Sequence, residues 1–251
     1  MNTAHILPNS LLGMTESHYH LCLAHLVHQY PSYREFYAKR SRLGNFIILD
    51  NSAHEHGRGE PGEVLASAAQ AIHPSEIVLP DALFDSAGTV ELSRRALPQL
   101  ISLAPLMVVP QGKNFDEWKW CLDQLLPLGP QTIGISKDFE VWSSQGLVPL
   151  IEFSLQFEKP LHLLGWGRKL HLLPDYIAAG EGFIRGIDSA KPAVYAYAGI
   201  ALPEDLSQAP AYPGRPERFF ALGPQDFKDI RILEHNLRVF EALASSCEDE
   251  I

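Results

Sequence analysis

Three aspartates and one glutamine stand directly after short apolar runs in this chain. Phe46-Ile47-Ile48-Leu49 is followed by Asp50-Asn51-Ser52, and Ile77-Val78-Leu79 by Pro80-Asp81. Leu106-Met107-Val108-Val109 leads to Pro110-Gln111-Gly112, and Phe183-Ile184-Arg185-Gly186-Ile187 to Asp188-Ser189. A further run, Leu161-His162-Leu163-Leu164, opens onto Gly165-Trp166-Gly167. An Asp after a strand often caps the next helix, because its oxygen accepts N–H groups that the first helical turn leaves without partners. Brought to one place, the same residues do something else. Carboxylates accept from ring N–H and amino groups, and an amide both donates and accepts, so the set could grip a polar heterocycle. A remaining carboxylate could then act as nucleophile or base.

Those runs must be held by a regular scaffold. Six of them, with Thr132-Ile133-Gly134-Ile135 included, read as buried parallel strands. His5-Ile6-Leu7 adds a seventh and Ala193-Val194-Tyr195-Ala196 an eighth. Helical stretches lie between them: 62–72, 90–103, 114–126, 142–156 and 170–179, with a charged amphipathic helix over 224–245 at the end. Strands alternating with helices indicate repeated βα units. Eight units in 251 residues suit an α/β chain folded as a single (β/α)8 barrel domain, 1–251. An open doubly wound sheet is the alternative. The chain has neither GxGxxG after a first strand nor GxxxxGK[ST], so the phosphate-loop forms of that alternative lose support.

Composition narrows the class. Hydrophobic residues make up 46%, enough for a sizeable core. No apolar stretch approaches the ~18 residues of a membrane span, and the first residues lack a signal-peptide pattern, so a soluble cytoplasmic protein is expected. The three cysteines, Cys22, Cys121 and Cys247, form no CxxC pair, which fits a reducing compartment and excludes a cysteine-rich zinc site. The net charge of −10 argues against avid non-specific binding to a phosphate backbone. His54-Glu55-His56 has histidines at i, i+2 rather than helical HExxH spacing, so no metal is assigned. His162, inside an apolar strand, reads as a core histidine, and Trp118 and Trp120 as packing residues.

With these segments in order, the chain resembles the queuine and archaeosine tRNA-guanine transglycosylases, and more closely their phage and bacterial relatives that insert 7-deazaguanines into DNA. Leu49-Asp50-Asn51-Ser52-Ala53-His54-Glu55 is similar to that family's DSGGFQ-type loop, Val108-Val109-Pro110-Gln111-Gly112 to its V-Q-G, Leu161–Gly167 to its H-x-L-x-G-x-G segment, and Gly186-Ile187-Asp188-Ser189-Ala190 to its D-S-A nucleophile segment. The resemblance implies a barrel that exchanges guanine for a free 7-deazaguanine in nucleic acid, DNA rather than tRNA, without a cofactor. By that match Asp188 is the nucleophile at C1′ and Asp50 the general acid/base. Asp81, Gln111, Gly112, Leu164, Gly165 and His54 hold the base, while Lys191, Arg168 and Lys169 meet the nucleic acid. A homodimer or an accessory protein is compatible with it, and a bacterial or phage-infected cytoplasm is the expected setting. The family's CxCxxC…H zinc site is missing, since only Cys247 lies beyond Asp188, so no zinc subdomain is expected. Two other readings remain beside it: a nucleoside or base hydrolase, and a barrel that binds a base without catalysis.

Overall fold

The computed structural model describes residues 1–166 and 170–245. Its strands are β1 (Asn2–His5), β2 (Tyr19–Leu23), β3 (Phe46–Asp50), β4 (Glu76–Val78), β5 (Leu106–Val108), β6 (Thr132–Ser136), β7 (Leu161–Leu164) and β8 (Ile184–Ser189). They form one parallel sheet in the order β1-β8-β7-β6-β5-β4-β3-β2. The two edge strands, β1 and β2, face each other, and the Ser17 hydroxyl joins them by donating to the Thr3 carbonyl at 2.9 Å. The result is a nearly closed (β/α)8 barrel in a single domain.

The helices are α1 (Ala24–Gln29), α2 (Pro31–Arg42), α3 (Ala53–His56), α4 (Gly62–Ile72), α5 (Ser86–Leu100), α6 (Phe115–Leu125), α7 (Val148–Leu155), α8 (Leu173–Ala179), α9 (Lys191–Tyr197) and α10 (Ile230–Ser245). Local chemistry sets several of their boundaries. Asn114 caps α6 by accepting the Glu117 N–H at 3.0 Å, and Asp85 caps α5 by accepting that of Gly88 at 2.9 Å. Trp118, Cys121, Leu122 and Leu125 follow at helical spacing and are all buried against the barrel. α10 starts at Ile230, six residues later than the charge pattern suggests, after a short 3₁₀ turn at Pro224–Asp226. Among the described residues no helix is long and apolar enough to cross a membrane.

Two strands differ from the sequence reading. Ala193–Ala196 is not the eighth strand but the middle of α9, because Pro192 sits in the first helical turn, where its fixed φ favours a helix. The strand that completes the barrel is β2, Tyr19-His20-Leu21-Cys22-Leu23, in register with β3 from Tyr19↔Phe46 to Leu23↔Asp50. At the first strand, pairing with β8 covers Asn2–His5 rather than His5–Leu7.

Candidate active site

The C-terminal ends of the strands surround a cavity of about 310 Å³. In such a barrel this end carries the chemistry, because the βα loops there vary without disturbing the core. Asp50 at the end of β3, Asp81 after β4, Gln111 after β5, Lys137 and Asp138 after β6, Leu164 at the end of β7 with Gly165 after it, and Asp188 and Lys191 on and after β8 all line it. The four strand-end residues singled out in the sequence therefore do converge.

Two of them are locked together. The Gln111 Nε2 donates to Asp81 Oδ2 at 2.6 Å, and its Oε1 accepts the Phe84 N–H at 3.1 Å. Asn51 Nδ2 donates to Asp81 Oδ1 at 2.7 Å and to the Leu79 carbonyl at 2.7 Å. Burial nevertheless pushes the Asp81 carboxyl up to about 6, against the lowering effect of the two amide donors. The turn after β3 is tight: Ser52 takes a left-handed φ of 65°, held by Ser52 N–H to Asp50 Oδ2 (2.8 Å) and Ala53 N–H to Asn51 Oδ1 (2.8 Å). Asp50 is half-buried, and the surface it keeps lines the cavity. Desolvation, reinforced by the nearby Glu55, Asp188 and Asp81 charges, raises its carboxyl well above the usual range.

Asp188 is held by a polar chain that crosses the barrel interior. Both of its oxygens accept the Gly165 N–H at 3.0 Å, and Oδ1 lies 3.1 Å from His162 Nε2. His162 Nδ1 is 2.9 Å from the Tyr19 hydroxyl, which accepts from Arg185 Nε at 3.1 Å. Because Arg185 can only donate, the Tyr19 proton points to His162 Nδ1, and the network assigns the ring its Nε2–H tautomer. Arg185 continues to Glu76 through two N–H groups at 3.1 and 2.5 Å. The neighbours of His162 in register on β6 and β8 are glycines, Gly134 and Gly186, and Gly186 leaves room for the Tyr19 ring, since a Cβ there would stand 2.7 Å from it.

The cations of the cavity are placed differently. Arg215 is paired with Glu55 at 3.0 Å, and Glu55 Oε2 is buried with no hydrogen-bond partner among the described residues. Gly165, at φ +66°, makes room for the Lys137 side chain: a Cβ there would stand 2.6 Å from Lys137 Nζ. Lys191 is 6% exposed, and its Nζ has no hydrogen-bond partner among the described residues. Burial lowers its ammonium from the ordinary 10.5 to about 8. The folded state thus binds this proton less tightly than the unfolded chain. The cost is complete below pH 8 and disappears as pH rises towards 10.5. Lys191→Met should therefore raise stability by about 3 kcal/mol at pH 7, and urea unfolding should show the gain shrinking above pH 8.

The remaining sequence candidates are scattered. His54 is exposed at the cavity rim, with Nδ1 3.8 Å from Asp138 Oδ2. Gly112 does not line the cavity; it lets α6 approach, since a Cβ there would meet Trp118 N at 2.6 Å. Lys191, expected at a nucleic-acid surface, is instead inside the cavity. Arg168 and Lys169 lie outside the described residues. Among the described residues no group of three or more His, Cys, Asp or Glu is arranged to hold a metal ion. Asn51, Glu55, Lys137 and the His162–Tyr19–Arg185 chain were not assigned to the site from sequence. Only Asn51 and Glu55 gave a signal, being polar and adjacent to Asp50.

No protein-family model matches the chain, and no curated protein matches it. Among solved structures, the barrel is similar to the YdjI aldolase from Escherichia coli K12, at 13% identity and a TM-score of 0.59 over 96% of this chain and 89% of that one. It is similar to the carboxyl transferase domain of Rhizobium etli pyruvate carboxylase with 3-bromopyruvate, at 14% identity and a TM-score of 0.55; 96% of this chain covers 47% of that chain. A 2,3-dimethylmalate lyase of the PEP mutase/isocitrate lyase superfamily follows at 11% identity and a TM-score of 0.52, over 99% of this chain and 90% of that one. At such identities the likeness shows the fold alone. The expected base-exchange transglycosylase, a pentosyltransferase inserting a 7-deazaguanine into DNA, is corrected by these findings: the barrels found are aldolase, carboxyl transferase and lyase, not guanine transglycosylases. The site gives the physical reason. The Asp81 and Gln111 atoms that would read a base edge already hold each other, Asn51 and Phe84, and both oxygens of Asp188 face donors of the protein itself.

Proposed function

We propose that this chain is a barrel enzyme of the lyase type, making or breaking a bond beside a carbonyl group in a small polar metabolite. One observation carries the reading: a carboxyl of raised proton affinity, Asp50, and two lysines, Lys137 and Lys191, line one cavity at the C-terminal end of the barrel strands. When a bond next to a carbonyl breaks, its electron pair moves onto the carbonyl oxygen as an enolate. Ammonium groups fixed nearby stabilise that charge, and a carboxyl of raised proton affinity delivers and retrieves the proton at carbon. A cavity of about 310 Å³ has room for a small polar metabolite. The fold is one that hosts aldolase and lyase chemistry in other chains, which makes the reading compatible with the architecture without deciding it. Cys22 and Cys121 are buried free thiols, and a cytoplasmic setting suits them.

The test is deuterium uptake. Pyruvate, 2-oxobutyrate and dihydroxyacetone, each incubated with the protein in D₂O, should lose the proton NMR signal of the carbon next to the carbonyl faster than the buffer control. Uptake no faster than buffer for all three would overturn the reading.

A further inference from the structure

We propose that Lys191 captures the carbonyl carbon of the substrate as a covalent imine. The inference rests on the reading of the cavity as a site for bonds beside a carbonyl, and it names the group that would draw electrons from that bond.

Lys191 stands apart from the other cations lining the cavity. Arg215 is tied to Glu55, and Lys137 is half-exposed against Gly165. Lys191 alone combines near-complete burial with an Nζ that has no hydrogen-bond acceptor among the described residues. A buried ammonium without acceptors is an expensive arrangement, whereas a buried neutral amine is not. What faces it agrees: the Tyr212 ring, its centroid 5.8 Å away, and the charges of Glu140 and Lys137, which oppose each other. Glu140 in turn accepts from the Tyr176 hydroxyl at 3.1 Å. Titration near 8 leaves about a tenth of the side chain as free amine at pH 7, and that is the nucleophilic form.

The backbone holds the amine in place. Lys191 opens α9, its N–H donates to Ser189 Oγ at 3.1 Å, and Pro192 fixes the next residue. Asn236 of α10 clamps the same turn by donating to the Pro192 carbonyl at 3.1 Å. An attacking group set at the start of a clamped helix, three residues beyond Asp188, keeps its direction through a reaction cycle.

The step balances without any further reagent. The lone pair of the free amine attacks the carbonyl carbon, and the π pair moves to the oxygen, which takes the proton of Asp50. The nitrogen of the resulting carbinolamine returns a proton to Asp50. A second proton transfer, again from Asp50, goes to the hydroxyl, expels water and leaves a protonated C=N bond beside the Asp50 carboxylate. Amine, carbonyl compound and the Asp50 proton thus become protonated imine and water, and hydrolysis runs the same path backwards. The protonated C=N group accepts the electron pair of the bond that breaks.

Borohydride trapping reads this directly. The full chain is incubated separately with pyruvate, 2-oxobutyrate and dihydroxyacetone, reduced with sodium borohydride, and mapped by peptide mass spectrometry. The expected result is one secondary amine per chain, on Lys191, with at least one probe, and at least a tenfold loss of total adduct in Lys191→Met. Adducts spread over surface lysines and unchanged in Lys191→Met would overturn the imine. No adduct from a probe that does take up deuterium would overturn the imine and leave the proton chemistry standing. Neither adduct nor uptake from any probe would overturn both.

Discussion

Asp50→Asn should slow deuterium uptake beside the carbonyl by about 10²–10⁴-fold, the usual contribution of a positioned proton carrier, while leaving the fold as stable as before. Both halves follow from one fact. Burial and the Glu55, Asp188 and Asp81 charges raise the Asp50 carboxyl well above the usual range, so the site disfavours charge there and accepts an uncharged amide of nearly the same shape. The Ser52 N–H that Asp50 Oδ2 accepts can be accepted equally by the Asn oxygen. What the amide lacks is a proton to exchange. Urea unfolding of the variant should match the wild type within about 0.5 kcal/mol, the scatter of substitutions without a named mechanism. Uptake within threefold of wild type would remove Asp50 from the chemistry.

Much of the barrel is legible in the chain because parallel strands are buried on both faces and read as unbroken apolar runs. Phe46–Leu49, Ile77–Leu79, Leu106–Val109, Thr132–Ile135, Leu161–Leu164 and Phe183–Ile187 all lie on or overlap strands. β2 escapes the rule because Tyr19 and His20 interrupt its apolar pattern: Tyr19 is an inward residue of the polar chain, and His20 packs against Phe36 and Tyr37 of α2. Ala193–Ala196 satisfies the same rule and is a helix, since Pro192 in the first turn and the helix-forming Ala193 and Ala196 outweigh the strand-prone Val194 and Tyr195. At the site, residue type and strand-end position locate Asp50, Asp81, Gln111 and Asp188. They do not reveal what each side chain is already bonded to. The links that decide their chemistry join Tyr19 to His162 and Arg185 to Tyr19, pairs 143 and 166 residues apart. Lys191 is the sharpest case. A lysine after a strand is ordinarily a solvated group, and only the packing of α9 under α10 and Tyr212 turns it into a buried amine.

The polar chain that reaches Asp188 ends in an ion pair, and that pair carries the largest effect on stability. Arg185→Met should destabilise the protein by about 3–5 kcal/mol, the cost of leaving one member of a buried pair alone. Glu76 is 1% exposed and accepts two guanidinium N–H groups and the Thr132 hydroxyl. For a domain of this size such a loss lowers Tm by about 10 °C. Glu76→Gln together with Arg185→Met removes both charges, and should recover a good part of the loss, because the penalty comes from the orphaned carboxylate rather than from the missing attraction. A double variant as unstable as the sum of its two single variants would show that the pair is not coupled. The same cycle tests the link to the mouth of the barrel. Without Arg185 the Tyr19 hydroxyl loses its fixed donor and can turn its proton away from His162. His162 is then free to change tautomer, and its ring nitrogen shifts should depart from the Nε2–H pattern even in the double variant whose stability has recovered. Unchanged shifts would confine the ion pair to holding up the floor of the barrel.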